Sequence, residues 1–225
     1  MGAPGRDLDE IAQVGRRAQE LTSRLKAFAR GEAPEKRLLR LPSLIREAVN
    51  LAAERGTHVA LRWDLEEGLP PVMADESQLL QVLNNLAVNA VQAMAGGGTL
   101  TVAARAILPP QALVAHLEER DWVRISLTDT GIGIPPENLK RIFEPFFTTK
   151  STGTGLGLAT CFSIVAKHGG HLRVESAPGR GTTFHVILPA SPALPAAEFA
   201  PKVVARGSPA SLRPLPLRVG AGAGP

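Results

Sequence analysis

Six amide or carboxylate side chains recur along one segment of the chain at steps of three or four residues. An α-helix, with about 3.6 residues per turn, places all six on one face. Amide carbonyls are neutral oxygen ligands that suit Mg²⁺ when phosphate oxygens already supply the negative charge. An ordinary solvated helix face is the alternative, although such a face is normally richer in Lys and Glu. The six residues are Asp75, Gln78, Gln81, Asn85, Asn89 and Gln92, and the apolar residues predicted for the opposite face are Leu79, Val82, Leu83, Leu86, Ala90 and Ala93.

A carboxylate stands at the end of an apolar run, directly before two closely spaced glycines. The run, residues 122–128, predicts a buried strand, and an unpaired Asp129 at its end would be costly. Gly131 and Gly133 lack a side chain, which allows the backbone to press against a ligand and to begin a mobile segment. An aspartate that caps a turn is the simpler alternative.

A second glycine cluster precedes an apolar helical pattern. Backbone N–H groups at a helix N-terminus, together with the helix dipole, favour phosphate groups. The cluster has neither the lysine of a Walker loop nor the acidic partner of a Rossmann motif, so by itself it indicates little. Lys150 is the one cation of the phenylalanine-rich residues 143–150. The clustered glycines are Gly153, Gly155 and Gly157.

These residues can be positioned by a compact mixed domain of helices and strands. A glycine- and proline-containing turn at 177–181 predicts a hairpin. Residues 108–120 predict a surface excursion, and residues 131–153 predict a flexible stretch. The predicted helices are 43–55, 75–94 and 155–168. The predicted strands are 38–41, 58–64, 99–107, 122–128, 172–176 and 182–188.

The two ends of the chain differ from its middle. Residues 7–30 carry apolar side chains at alternating spacings of three and four, which predicts a helix that either packs on its own domain or forms a dimer. The last 36 residues contain seven prolines and four glycines, and they predict a disordered tail. The expected division is therefore 1–33, 37–189 and 190–225.

Composition narrows the functional classes. The 225 residues are 44% apolar, which is enough for one good core. The net charge is +4, and the tail contributes most of it, so we expect no nucleic-acid groove. A single cysteine excludes an internal disulfide, and five scattered histidines do not predict a metal site. Without a long apolar run or signal core, we expect no membrane contact and a cytoplasmic setting.

Together these motifs resemble the ATP-binding catalytic domain of sensor histidine kinases, in the superfamily shared with DNA gyrase, a heat-shock chaperone and mismatch-repair ATPases. The resemblance covers 37–189, and residues 89–94 and 143–150 are similar to the nitrogen-sensor subgroup. It implies an α/β (α+β) two-layer sandwich, with a mixed, mostly antiparallel sheet covered on one face by three helices. Residues 7–30 resemble the second dimerisation helix, and the first, which carries the phosphoacceptor histidine, is missing.

The resemblance implies a role for each motif residue. Asn89 is implied as the Mg²⁺ ligand, and Asn85 as support for the phosphates or a metal-bound water. Asp129 would accept the adenine amino group, Thr182 would contact adenine through water, and Lys150 would face the phosphates. The implied catalytic residues are Asn85, Asn89 and Lys150. The implied ATP-binding residues are Asn85, Asn89, Gln92, Asp129, Gly131, Gly133, Lys150, Gly153, Thr154, Gly155, Leu156, Gly157, Leu158 and Thr182.

One residue separates two reaction classes. Gyrase-like and chaperone-like relatives activate water with a glutamate where this chain has Asn85, and an amide cannot take a proton from water at neutral pH. The resemblance thus implies Mg-ATP binding and γ-phosphate transfer to a histidine of a dimerisation domain, upstream of a response regulator. It also implies a homodimer through the N-terminal helix. A nucleotide-binding regulatory module is the alternative, and a hydrolytic clamp ATPase is disfavoured by Asn85.

Overall fold

The computed structural model describes a central part of the chain with short gaps. No helix in these residues is long and apolar enough to cross a membrane. The predicted dimerisation helix lies outside the described residues, as does the predicted tail beyond Ser191, so both stay predictions. The described residues are 33–54, 58–108, 121–150 and 153–191.

The described residues form four helices and seven strands. The helices are α1 (Leu41–Ala53), α2 (Glu76–Ala93), α3 (Pro136–Leu139) and α4 (Gly157–Lys167). The strands are β1 (Arg37–Leu39), β2 (Val59–Leu65), β3 (Val72–Ala74), β4 (Gly98–Ile107), β5 (Trp122–Asp129), β6 (His171–Ser176) and β7 (Thr182–Pro189).

Five strands form the main sheet in the order β2-β4-β5-β7-β6. The β2 and β4 strands pair in parallel, and the other neighbours pair antiparallel. A separate antiparallel ribbon joins β1 to β3. Helix α2 lies between α1 and α4 and contacts both. The predicted fold class, a mixed and mostly antiparallel sheet with helices packed on it, is confirmed.

The core lies between the helices and one face of the sheet. Alternate residues of the central strands point into it, because successive strand side chains face opposite sides. Of the six residues predicted for the apolar face of α2, five are buried, and Ala93 at the helix end is half-buried. The buried five are Leu79, Val82, Leu83, Leu86 and Ala90. The inward sheet residues include Leu100, Val102, Val123, Ile125, Leu127, Phe184, Val186 and Leu188.

Several predicted boundaries are wrong. The first strand ends at Leu39 rather than at residue 41, because α1 begins at Leu41 with a proline in its first turn. Helix α4 begins at Gly157 rather than at residue 155, because Gly155 has a positive φ of 68°. The three-residue β3 is too short for periodicity to predict it.

One further boundary needs correction, whereas the predicted flexibility of 131–153 stays a prediction, although this stretch contains the helical turn α3. The tail was expected from residue 190, but Ala190 forms a β-bridge with Val72 and donates its N–H to the Asp121 carbonyl at 2.9 Å. The domain therefore extends past β7.

The start of α2 is fixed by a buried histidine. The carboxylate of Asp75 caps the helix by accepting the Gln78 N–H at 3.1 Å. The Asp75 N–H in turn donates to His168 Nε2 at 3.0 Å. His168 Nδ1 lies 2.8 Å from the Ile164 carbonyl, so the neutral Nδ1–H tautomer satisfies both contacts. Burial lowers the pKa of His168, which keeps the ring neutral in this role.

Candidate functional site

Asp129 is a buried carboxylate at the end of β5, and one of its oxygens already accepts hydrogen bonds. Its Oδ1 accepts the Gly131 N–H at 2.8 Å and the Thr182 N–H at 3.2 Å. Among the described residues, no hydrogen bond uses Oδ2. Burial raises the pKa of Asp129, and the two N–H donors oppose that rise. The free oxygen can accept a hydrogen bond from an amino group of a ligand.

Glycine is required beside this carboxylate. Gly133 and Gly181 have φ angles of 71° and 80°, in the left-handed region that side chains disfavour. A Cβ at Gly133 would overlap the Ala177 carbonyl, and one at Gly181 would overlap the carbonyl of Asp129. The first glycine cluster and the hairpin turn therefore pack directly against each other.

Ser176 joins these two segments, although no sequence motif predicts a role for it. Its hydroxyl accepts the Ile134 N–H at 2.8 Å and donates to the Gly181 carbonyl at 2.9 Å. The Thr182 hydroxyl lies 2.9 Å from it and completes the cluster. Since Ser176 pairs with Thr182 across β6 and β7, the hairpin register was the signal that could have identified it.

A second cluster surrounds the ammonium group of Lys150. Its Nζ donates to Asn89 Oδ1 at 3.0 Å and to Gln92 Oε1 at 2.6 Å. The fold thus brings together three predicted site residues from α2 and the segment before α4. Desolvation lowers the pKa of Lys150, although the residue as a whole is exposed. Two amide oxygens that already hold a cation have the donor chemistry that Mg²⁺ requires.

The end of α2 connects the two clusters. The Ile132 N–H donates to the Ala93 carbonyl at 3.2 Å, and a Cβ on Gly131 would overlap that same carbonyl. Asn89 lies one helical turn earlier, about 6 Å along the axis. The Asp129 cluster and the Lys150 cluster are therefore neighbouring parts of one site.

Asn85 does not join the Lys150 cluster. Its side chain lies beside the thiol of Cys161 on α4, where burial raises the thiol pKa to about 12. Within the described residues, no hydrogen bond links a carboxylate to Asn85, Asn89 or Gln92. The described contacts therefore hold no carboxylate beside these amides that could take a proton from water.

The segment before α4 is anchored by aromatic side chains. The Phe146 N–H donates to the Gly155 carbonyl at 3.0 Å, and a Cβ on Gly155 would overlap the Phe146 backbone. Phe143 packs on Phe162 of α4, with ring centroids 5.5 Å apart. We refer to residues 135–150 together with Gly153 as the lid, and to the contacts of Phe143 and Phe146 as its base. Ile142 also packs into the core, whereas Phe146 is 59% exposed.

The lid also contains Arg141, which lies outside the phenylalanine-rich residues 143–150 and was not predicted as a site residue. The guanidinium of Arg141 lies 4.3 Å from the Phe147 ring centroid and bonds Glu144 at 3.2 Å. Its position two residues before Phe143 was the available signal. The stacked arginine holds the aromatic ring that follows it.

The N-terminus of α4 has N–H groups available for a ligand. The cap residue, Leu156, is buried and provides no side-chain hydrogen bond. A Cβ on Gly157 would meet nothing within 4 Å, so the helix start faces open space. Thr154 and Leu158 are half-buried, and Gly153 is exposed beside Thr148. The described contacts do not connect these residues directly to Asn89 or Asp129.

Comparison with known proteins identifies the family. Residues 74–192 match the model of the histidine kinase-, DNA gyrase B- and HSP90-like ATPases, which covers just over half of the chain. The chain belongs to this ATPase family. The predicted resemblance is confirmed, while the nitrogen-sensor subgroup stays a prediction. In this ATPase domain the clusters described above lie within the matched residues, as do both glycine motifs.

Sensor kinases are among the relatives of this ATPase domain. Sensor kinase CckA of Brucella abortus is 41% identical over 189 residues, which cover 81% of this chain and 20% of the kinase. Sporulation kinase E of Bacillus subtilis is 38% identical over 148 residues, covering 65% and 19%. The crystal structure of full-length ShkA with AMPPNP matches with a TM-score of 0.69 and 29% identity, covering 86% and 41%. The chain thus spans about one fifth of these two kinases.

Proposed function

We propose that this chain binds Mg-ATP and donates the γ-phosphate to a histidine of a sensor kinase dimerisation domain. One observation carries the proposal: the ammonium of Lys150 is held by the amide oxygens of Asn89 and Gln92, one helical turn from the Asp129 cluster. A cation-binding amide pair beside a buried free carboxylate oxygen suits Mg-phosphate at one end and adenine at the other.

Each cluster has a distinct task in this proposal. Asp129 Oδ2 accepts the adenine amino group, while Thr182 and Gly131 hold Oδ1 in place. Asn89 coordinates Mg²⁺, which neutralises phosphate charge when it is bound. Lys150 then leaves the amide oxygens for the phosphates, and the N–H groups at the start of α4 add further donors. Gly157 leaves open space for the phosphates at this helix start.

Transfer is favoured over hydrolysis because a positioned base is needed to activate water. Asn85, where hydrolysing relatives have glutamate, lies beside Cys161 instead. The acceptor is then a histidine of a dimerisation domain, and the phosphate passes on to a response regulator. Residues 7–30 form the homodimer contact in this proposal, and a cytoplasmic location follows from the use of ATP.

Calorimetry with Mg²⁺ and AMPPNP tests the metal end of the site. Asn89→Ala removes one amide oxygen and should weaken binding at least tenfold, because a metal contact is lost. Gln81→Ala is the matched control, since Gln81 is an exposed amide on the same helix outside the cluster. If both variants bind like the parent chain, the metal assignment is wrong.

Radiolabelled ATP distinguishes the three functional hypotheses, which are phosphate transfer, a regulatory module and a hydrolytic clamp. Acid-labile label should appear only on an added histidine-bearing dimerisation domain, and not when its histidine is replaced by glutamine. Nucleotide binding without transfer to any supplied domain would favour the regulatory module. Rapid phosphate release by the chain alone would favour the hydrolytic clamp. Labelling of the isolated chain would contradict an acceptor that lies elsewhere.

A further inference from the structure

The sheet face opposite the helices carries a cavity of about 260 Å³. It opens between the ends of β4, β5, β6 and β7, on residues that alternate with those of the core. Arg124 lies five residues before Asp129 on β5, about 16 Å along the strand, and faces the other side of the sheet. The cavity is therefore separate from the nucleotide site. Its lining residues are Ile107, Leu108, Arg124, Arg173, Glu175, His185 and Ile187.

Positive charge is concentrated at this cavity. Arg124 stands directly opposite Arg105 across β4 and β5, an arrangement of like charges that is unfavourable by itself. Arg105 is compensated, because it pairs with Asp64 at 2.5 Å. Within the described residues, neither Arg124 nor Arg173 makes an ion pair. Two guanidinium groups therefore remain available on strands that flank β7.

A histidine lies between the two arginines. His185 is the cross-strand partner of both Ser126 and Arg173. The Ser126 hydroxyl lies 2.8 Å from His185 Nδ1, and Nε2 lies 3.5 Å from Glu175. Burial lowers the pKa of His185, and the charges of Arg124 and Arg173 add to this while Glu175 opposes it. An anion in the cavity would reverse that balance and favour the protonated ring.

The floor of the cavity is apolar. Ile187 is only 3% exposed, and it lies between Arg124 on one neighbouring strand and His171 on the other. Ile107 is half-buried beside it, whereas Leu108 is 79% exposed at the rim. A ligand here needs an apolar body next to its anionic group, since purely ionic ligands would leave this floor uncovered.

We propose that the outer sheet face binds a small molecule that carries a phosphate group on an apolar or aromatic body. Arg124 and Arg173 approach from strands on either side of β7, so an oxyanion with three acceptor oxygens can be shared between them. A carboxylate ligand would need only one of these arginines, because a single guanidinium binds both of its oxygens. The pair of arginines therefore favours a phosphate. His185, whose Nε2 already faces Glu175, adds positive charge when it is protonated, and Ile107 and Ile187 cover the body. The cavity volume limits the ligand to small molecules.

Phenyl phosphate is the probe that tests this site. It is titrated into the full chain saturated with Mg²⁺ and AMPPNP, and amide shifts are followed by NMR. Shifts should map to β5, β6 and β7 around Arg124, Arg173 and His185. The pKa of His185 should rise when the probe is bound, because a nearby phosphate favours the protonated ring. Phenol, which lacks the phosphate, should produce none of these changes.

Matched variants separate a built site from general charge attraction. Arg124→Gln and Arg173→Gln should each weaken probe binding roughly tenfold, with AMPPNP binding unchanged. Arg62→Gln should have no effect. Arg62 is an exposed arginine of β2 that lies on the same face of the sheet but outside the cavity. Equal losses in all three variants would overturn the proposal.

Two further results would also overturn it. Probe shifts confined to the nucleotide site would show that the outer cavity binds no phosphate, and an unchanged His185 pKa would show that the phosphate does not lie beside the ring. Shifts of the same outer residues by a glutamate-rich peptide but not by phenyl phosphate would indicate a protein-docking surface instead.

Discussion

At the scale of single residues, Asp129 and His168 have opposite electrostatic tasks. Asp129 keeps an acceptor oxygen available in a buried place, although burial raises its pKa and disfavours the charged form. His168 must stay neutral, because its Nε2 accepts the Asp75 N–H that precedes α2. Under the proposed function, Asp129 thus offers a ligand contact at a cost in stability, whereas His168 stabilises the helix that carries Asn89.

Asp129→Asn should separate binding from stability. The amide keeps an acceptor for the Gly131 and Thr182 N–H groups but replaces the free oxygen by a donor, which repels the adenine amino group. AMPPNP binding should weaken at least tenfold by calorimetry. The nucleotide-free domain should be as stable as the parent or more stable at neutral pH, because a raised carboxyl pKa means stability that is lost as pH rises. A less stable variant with intact binding would contradict this.

The lowered pKa of His168 predicts a loss of stability in mild acid. Neutral His168 contributes its full stability above the unfolded pKa of about 6.5, and this contribution is lost as pH falls toward and through the lower folded pKa. Urea unfolding midpoints should therefore decline between about pH 7 and pH 5. His168→Gln should remove part of the decline, and only part, because burial lowers the pKa of His185 too. A decline unchanged in this variant would show that His168 is not responsible.

At the scale of elements, α2 and the lid base position the site. The buried stripe of α2 fixes its rotation, so its amide face turns toward the segment that carries Lys150. The lid base is closed by the Phe146–Gly155 hydrogen bond and by the packing of Phe143 on Phe162. The placement of Lys150 therefore depends on one backbone hydrogen bond and one ring contact that lie outside the Lys150 cluster.

Gly155→Ala should loosen the lid more than a matched glycine substitution. Gly155 and Gly179 have φ angles of 68° and 72°, so alanine costs about 1–2 kcal/mol at either position. Only at Gly155 would the new Cβ overlap backbone, that of Phe146, whereas Gly179 has open space around it. The Gly155 variant should lose at least about 1 kcal/mol more in urea unfolding, and its lid amides should exchange faster. Equal effects would show that the lid base is not closely packed.

At the scale of the whole molecule, one core supports two sheet faces with different tasks. The helix-covered face ends in the Asp129 and Lys150 clusters, and the uncovered face carries the arginine-lined cavity. The central strand β5 contributes to both, because Asp129 and Arg124 lie on its two sides. Loss of core packing should therefore affect both sites together.

Leu83→Ala tests the central position of α2. Leu83 is fully buried, and its truncation leaves a cavity between the helices and the sheet, so unfolding free energy should fall by about 2–5 kcal/mol. Leu51→Ala on α1 is the control, since Leu51 is 49% exposed and its loss should change stability by about 0.5 kcal/mol or less. Denaturant unfolding measures both, and a similar loss in the two variants would contradict the described core.

Local patterning determined much of this protein. The spacing of apolar residues predicted α2 and its buried face, and the order of the motifs indicated the ATPase family. The pattern of apolar residues indicates which nearby residues share a face, and this is sufficient to predict long helices and alternating strands. The pattern did not predict β3, which is short, or the start of α4, where a glycine has a positive φ.

Only the tertiary structure decided which distant residues meet. Lys150 reaches Asn89 across 61 positions, His168 holds Asp75 across 93, and Ser176 joins Gly133's neighbour Ile134 to the hairpin. The cavity beside His185 likewise exists because four strands bring Ile107, Arg124, Arg173 and Ile187 to one face. Such contacts depend on strand order and register, which are set by packing of the whole core and not by periodicity within any one segment.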